Sequence, residues 1–265
     1  MQQAIAETFE RLKQQGRKAF IPFITAGDPD LETTIRIVPE LERGGSHIVE
    51  LGIPFSDPVA DGPTIQRSSE RALRHGYRLA DYLAAVREMR RRSGIPIVLF
   101  SYFNPILQYG LEPLARDAAE AGVNGVLVTD VTPEEGDEYC AALGRHGLDP
   151  IFLVAPTSSQ ARISRIVACC RGFVYVVSRT GVTGAQATLS EAIAPTLARV
   201  RGCTRLPIAV GFGISGPEQV RAVWEVADGA VVGSAIVSLI EAFSGTPDLP
   251  ARVADFCRRL TGSPE

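Results

Sequence analysis

Two carboxylates, Glu50 and Asp61, are the residues of this chain best placed to move protons. Both lie in Val49-Glu50-Leu51-Gly52-Ile53-Pro54-Phe55-Ser56-Asp57-Pro58-Val59-Ala60-Asp61-Gly62-Pro63. An apolar strand read from His47 to Leu51 ends by presenting Glu50, and the loop that follows carries three prolines and two more acids, Asp57 and Asp61. Fully buried strands rarely end on an acid unless something there uses it. Gly52 and the prolines stiffen the segment, so Glu50 and Asp61 can be held at fixed separation over a pocket. The plainer reading is helix capping, which Asp57 alone would satisfy. A carboxylate walled by apolar side chains has a raised pKa and can give and take protons near neutrality.

Other chemistries lack their residues. The histidines, His47, His75 and His146, are scattered, without i, i+4 pairing or cysteine neighbours, which argues against a zinc site. Lys13 and Lys18 are the only lysines, so no later strand end offers an amine for a Schiff base. There is no G-x-S-x-G elbow, Ser101 and Ser178 have no evident histidine partner, and no Walker-type loop is present. General acid–base work by carboxylates remains, with no metal and no cofactor in this chain.

The elements that must position these acids repeat one unit. Apolar runs at Ala19–Thr25, His47–Leu51, Ile97–Ser101, Gly125–Thr129, Ile151–Val154, Val174–Val177, Ile208–Gly211 and Ala230–Val232 alternate with amphipathic segments such as Leu31–Arg43, Leu79–Arg92, Leu111–Ala121, Pro133–Leu143 and Pro217–Val226. Continuous rather than alternating apolar runs mark a parallel sheet covered on both faces. Eight such units without a linker predict an α/β fold, a single (β/α)8 TIM barrel over residues 1–265. Ile5, Phe9 and Leu12 give Met1–Arg17 the spacing of an extra N-terminal helix. An open doubly wound sheet is the alternative, but Thr25-Ala26-Gly27-Asp28-Pro29, not G-x-G-x-x-G, follows the first strand.

In a barrel the chemistry belongs at the carboxyl ends of the strands. Those ends carry Phe23, Glu50, Phe100 with Tyr102, Leu127 with Thr129 and Asp130, Leu153, and Tyr175. Large apolar and aromatic side chains around a few acids suit a flat aromatic substrate, although ordinary barrel packing also fills these positions. Glycine-rich turns follow the last strands at Gly181–Gly184, Gly211–Ser215 and Gly233–Ala235. With a helix starting at Ser234, they fit a phosphate. A net charge of −3 gives no electrostatic case for nucleic acid or an anionic membrane, and no apolar run has membrane-spanning length. Five cysteines without C-x-x-C spacing read as reduced thiols of a cytoplasmic protein.

Along nearly its whole length the chain resembles the α subunits of tryptophan synthase. The resemblance is carried by Phe20–Pro29, Glu50–Pro58, Ala60–Gln66, Ser178–Gly184 and Gly211–Ser215. It implies a lyase of tryptophan biosynthesis that cleaves indole-3-glycerol phosphate, by a retro-aldol reaction, to indole and glyceraldehyde 3-phosphate. It also implies an αββα heterotetramer, in which indole is channelled to a β subunit that holds pyridoxal phosphate. Carried over residue by residue, Glu50 is the acid–base carboxylate and Asp61 holds the indole N–H. Tyr175 positions the substrate, and Phe23, Phe100, Leu127, Thr129, Leu153 and Phe212 wall the indole. Gly184, Gly213, Gly233 and Ser234 hold the phosphate. Pro54–Asp61 and Ser178–Ala187 match two closing loops; the second contains Arg179 and Thr183, the latter bridging to Asp61 on closure. One departure is Thr129-Asp130-Val131-Thr132-Pro133, where some relatives carry Pro-Asp-Leu-Pro. The competing readings are a free-standing lyase, a non-catalytic activating subunit and, further off, a phosphosugar isomerase. Arg90-Arg91-Arg92 reads as a solvated helix end.

Overall fold

The computed structural model describes residues 4–178, 189–211 and 213–262. Its strands are β1 (Ala19–Thr25), β2 (Val49–Gly52), β3 (Ile97–Ser101), β4 (Gly125–Val128), β5 (Asp149–Ile151), β6 (Leu153–Val154), β7 (Val174–Val177), β8 (Ile208–Gly211) and β9 (Gly229–Val232). The helices are α1 (Ile5–Gln14), α2 (Leu31–Arg43), α3 (Pro63–Leu73), α4 (Leu79–Arg90), α5 (Phe103–Tyr109), α6 (Leu111–Ala121), α7 (Asp137–Arg145), α8 (Gln160–Cys169), α9 (Leu189–Arg201), α10 (Pro217–Val226), α11 (Ser234–Ala242) and α12 (Leu249–Thr261).

Every pairing is parallel, in the order β5-β4-β3-β2-β1-β9-β8-β7-β6. β5 and β6 are separated by Phe152 alone, whose carbonyl accepts from the Tyr175 amide at 3.2 Å. They are one interrupted strand that closes the ring, so nine segments make the eight-stranded barrel expected from the sequence. Parallel strands covered by helices bury both faces, which is why their apolar runs are continuous. One face packs under the helices; the other fills the barrel with Ile21, Val98, Leu127, Ile151, Ala209 and Val231.

α1 stops the amino-terminal mouth. Ile5, Phe9 and Leu12 are buried in the interior cluster, and Phe9 meets Phe173 with ring centroids 5.8 Å apart.

Three sequence readings shift. β2 starts at Val49, because His47 bonds outside the ladder: its Nδ1 accepts from the Phe20 amide at 3.0 Å. Burial first, then the positive charges of Arg17 and Arg11, push the His47 pKa down to about 4, so the ring stays neutral. α7 starts at Asp137 rather than Pro133, since 132–135 forms a turn closed by Glu135 N–H to the Thr132 carbonyl. Arg91 and Arg92 are exposed, but Arg90 is not a solvated end: it turns inward to the carbonyls of Gly122 and Ile95 and to Asn124 Oδ1.

Candidate active site

At the carboxyl end of the barrel a cavity of about 120 Å³ opens between β1, β2, β7 and the starts of α3 and α11. That is several times the space a single water needs. Larger clefts lie at the opposite mouth beside α1, one of about 580 Å³ lined by Lys13, Arg17, Arg201 and Arg205 with Glu10 and Asp228. The smaller cavity is the one that gathers inward-facing acids among rings.

Glu50 lies opposite Phe23 of β1 and Val98 of β3, on the barrel's inner face. It is fully buried, and neither carboxyl oxygen has a hydrogen-bond partner among the described residues. Burial therefore pushes its pKa well above the ordinary value, which favours the protonated carboxyl. An orphaned carboxyl in a protein interior costs stability, so its placement marks it as a group that waits for a ligand.

Asp61 sits on the loop between β2 and α3, immediately before the Gly62 N-cap. Tyr102 Oη donates to Asp61 Oδ2 at 3.1 Å and accepts from the Ala60 amide at 2.9 Å, while Phe55 packs on the Tyr102 ring at 5.1 Å. The loop is thus tied down on both sides of Val59. Burial raises the Asp61 pKa and the Tyr102 hydrogen bond offsets part of that rise. Two acids consequently share a cavity in different environments, one apolar and one hydrogen-bonded, which separates an acid role from an anion role.

Aromatic rings set the walls. Phe23 and Phe100 meet edge to face at 5.2 Å. A Cβ on Gly52 would come within 2.4 Å of Phe23 Cζ, and one on Gly211 within 1.9 Å of the Tyr175 hydroxyl. Those two glycines at strand ends are what admit the rings. Burial is the first cause that pushes the Tyr175 pKa up, so the phenol keeps its proton more tightly than in water. At the far wall stand Gly213, with φ at +77°, and Gly233 and Ser234 at the start of α11, where the Ser234 and Ala235 amides precede the first intrahelical hydrogen bonds.

Of the residues singled out from sequence, Phe23, Glu50, Asp61, Phe100, Tyr175, Gly213, Gly233 and Ser234 line this cavity. Tyr102 does not; it holds Asp61. Leu127 is fully buried below, Leu153 packs against the interior cluster, and Thr129 lies half-buried at the end of β4. None of the three lines the cavity as it stands. Phe212, Gly184, Arg179 and Thr183 lie outside the described residues. Gly62, Ile65 and Val231 line the cavity without having been singled out, although Gly62 and Ile65 fall in the Ala60–Gln66 segment. Asp57 caps no helix; it accepts from Ser56 Oγ at 2.6 Å.

A closed parallel barrel with one orphaned acid, a second tethered acid and a glycine-lined helix start around one cavity has the architecture of a (β/α)8 enzyme. A family model described as tryptophan synthase alpha chain matches residues 9–261. Tryptophan synthase alpha chains of Geobacter sulfurreducens and Geotalea uraniireducens are 53% and 50% identical to this chain, covering 97% of it and 97% and 96% of themselves. Among solved structures, an open form of Mycobacterium tuberculosis tryptophan synthase superposes with a TM-score of 0.87 at 35% identity, over 98% of this chain and 99% of the other. A chain from the Pyrococcus furiosus tryptophan synthase α2β2 complex gives 0.85 at 38% identity, over 92% and 98%. The chain belongs to the tryptophan synthase alpha chain family.

Proposed function

We propose that this chain cleaves indole-3-glycerol phosphate to indole and glyceraldehyde 3-phosphate, with Glu50 and Asp61 as its catalytic residues, and delivers indole to a β subunit. The observation that carries the reading is the orphaned, buried Glu50 in an aromatic-walled cavity that also holds Asp61. The carbon–carbon bond becomes breakable when indole C3 takes a proton, because the ring nitrogen then carries positive charge and serves as the electron sink. Glu50 gives that proton. Asp61, ionised and fixed by Tyr102, pairs with the charged N–H. Loss of the proton from the adjacent glycerol hydroxyl drives the bonding pair into the ring, releasing indole and the aldehyde. The hydroxyl proton restores Glu50, so no proton is gained or lost overall.

Tyr175 positions the substrate beside Glu50, Phe23 and Phe100 hold the indole plane, and Gly213, Gly233 and Ser234 receive the phosphate at the positive end of α11. Leu127, Thr129 and Leu153 form the layer beneath and beside the ring. Phe212, Gly184, Arg179 and Thr183 keep the indole-wall, phosphate and closing roles that the resemblance gives them. Residues 1–265 act as one domain, in keeping with the span of the family model.

The partner is a β subunit in an αββα assembly, and pyridoxal phosphate belongs to that subunit rather than to this chain. Two of the three large exposed apolar side chains among the described residues support this: Val59, 89% exposed, stands on the Asp61 loop and Leu107 on α5, both at the carboxyl end of the barrel. The assembly belongs in the cytoplasm; no helix among the described residues is long and apolar enough to cross a membrane. Indole release from indole-3-glycerol phosphate by the purified chain, with and without a β subunit, tests the reading. Slow turnover alone and strong stimulation by the partner are expected. Fast turnover alone would mark a free-standing lyase, and no turnover in either case would leave an activating subunit.

A further inference from the structure

The two walls of the cavity belong to two helices that also meet far from it. α3 begins beside Asp61 and contributes Ile65 to the cavity; α11 begins with Gly233 and Ser234. One turn into α3, Arg67 holds Glu241, two turns into α11, with both edges, Nε to Oε1 at 3.1 Å and Nη2 to Oε2 at 3.0 Å. Arg71 Nη1 reaches the same Glu241 Oε1 at 2.7 Å. The rest of the Arg71 guanidinium is fixed by Asp28, Nε to Oδ1 and Nη2 to Oδ2 at 2.8 Å each. The Asp28 side chain is only 1% exposed and lies in the turn just after β1, which ties the chain of contacts to the sheet. A second tie runs beside it: Thr25 and Ser68 hydroxyls lie 2.6 Å apart, and Ser68 Oγ donates to the Ile65 carbonyl at 2.7 Å. A planar guanidinium with all edges engaged fixes direction as well as distance.

We propose that Arg71, with Arg67 and Glu241, is a positioning unit that sets the separation between the Asp61 wall and the α11 wall, and so selects substrates by the length joining their aromatic and anionic ends. This rests on the functional reading above. None of the three residues lines the cavity. Asp61 stands just before α3 and Ser234 begins α11, and the brace between the two helices is what converts two independent half-sites into one site of defined span. Substrate ends that fit separately gain affinity when joined only if both half-sites stand at the matching distance.

The test compares three probes by calorimetry: indole, glycerol 3-phosphate, and an inert indole carrying a phosphate on a three-carbon chain. Glu241→Leu is the primary variant, because it removes both acceptor oxygens of the tie between the helices and leaves the buried Asp28–Arg71 pair in place. Arg71→Met is the second, with thermal unfolding recorded for both. The expected result is a loss of about tenfold in affinity for the joined probe with both halves unchanged. Equal losses for all three probes would overturn the proposal in favour of general loosening, and so would unchanged binding of the joined probe. If the unaltered protein binds the joined probe no better than its halves, the reading of the site itself fails, and the brace with it.

Discussion

Glu50 is placed where it weakens the protein, and replacing it should show this. In Glu50→Leu a side chain of similar reach fills the same fully buried position without the two unpartnered oxygens. Leaving a buried polar group unsatisfied costs about 1–3 kcal/mol, so the variant gains that order of stability. For a chain of this size the melting temperature rises by about 2–4 °C per kcal/mol, or roughly 2–12 °C in all. The gain also depends on pH. Burial raises the folded-state pKa of Glu50 above its ordinary 4.5, so the fold favours the protonated carboxyl. Below that ordinary value both folded and unfolded chains are protonated and the native protein is least penalised. As pH rises toward and through the raised folded value, the unfolded chain ionises first and the native protein loses stability. Leucine cannot titrate, so the advantage of Glu50→Leu widens with pH over this window. Urea unfolding at a series of pH values measures it, alongside indole release, which the substitution should abolish. A variant that is less stable throughout, or whose advantage narrows as pH rises, would refute the neutral buried acid.

Tyr102→Phe removes both the hydrogen bond that lowers the Asp61 pKa and the tether to the Ala60 amide. The acid limb of the indole-release profile should move to higher pH; an unmoved limb would mean that Asp61 ionisation does not govern it. Gly211→Ala sets a Cβ 1.9 Å from the Tyr175 hydroxyl and 2.5 Å from its Cζ, which forces the ring out. Stability should fall by about 1–3 kcal/mol in urea unfolding, with activity lost in parallel. Ser234→Asp puts negative charge at the start of α11, so KM for the substrate should rise at least about tenfold in steady-state assays, since the helix end favours anions.

Much of the fold was legible because parallel strands buried on both faces leave an unbroken apolar trace: β1, β3, β7, β8, α2, α6 and α10 fall on the ranges read from sequence. Boundaries failed where a local partner, a side chain in one case and a turn carbonyl in the other, displaced the regular pattern. His47 satisfies the Phe20 amide ahead of the β2 ladder, and the 132–135 turn delays α7. Glu50 and Asp61 stood out because acids amid apolar and proline-rich sequence are costly unless used. Tyr102 looked like one more ring of the wall, since spacing shows that a residue ends a strand and not what its hydroxyl will hold. Gly52 and Gly211 were visible only as turn residues; their necessity depends on Phe23 and Tyr175, far apart in sequence. The Asp28–Arg71–Glu241 brace joins residues up to 170 positions apart and has no local signal.

The central claim is that Glu50 carries the proton between the glycerol hydroxyl and indole C3. Single-turnover indole release by Glu50→Gln in the complex with a β subunit, at saturating substrate, tests it most directly. The amide keeps the shape of the site and cannot transfer the proton. The account predicts a fall in the cleavage rate of about 10²–10⁴-fold with substrate affinity retained. A rate within a few-fold of the unaltered protein would contradict it.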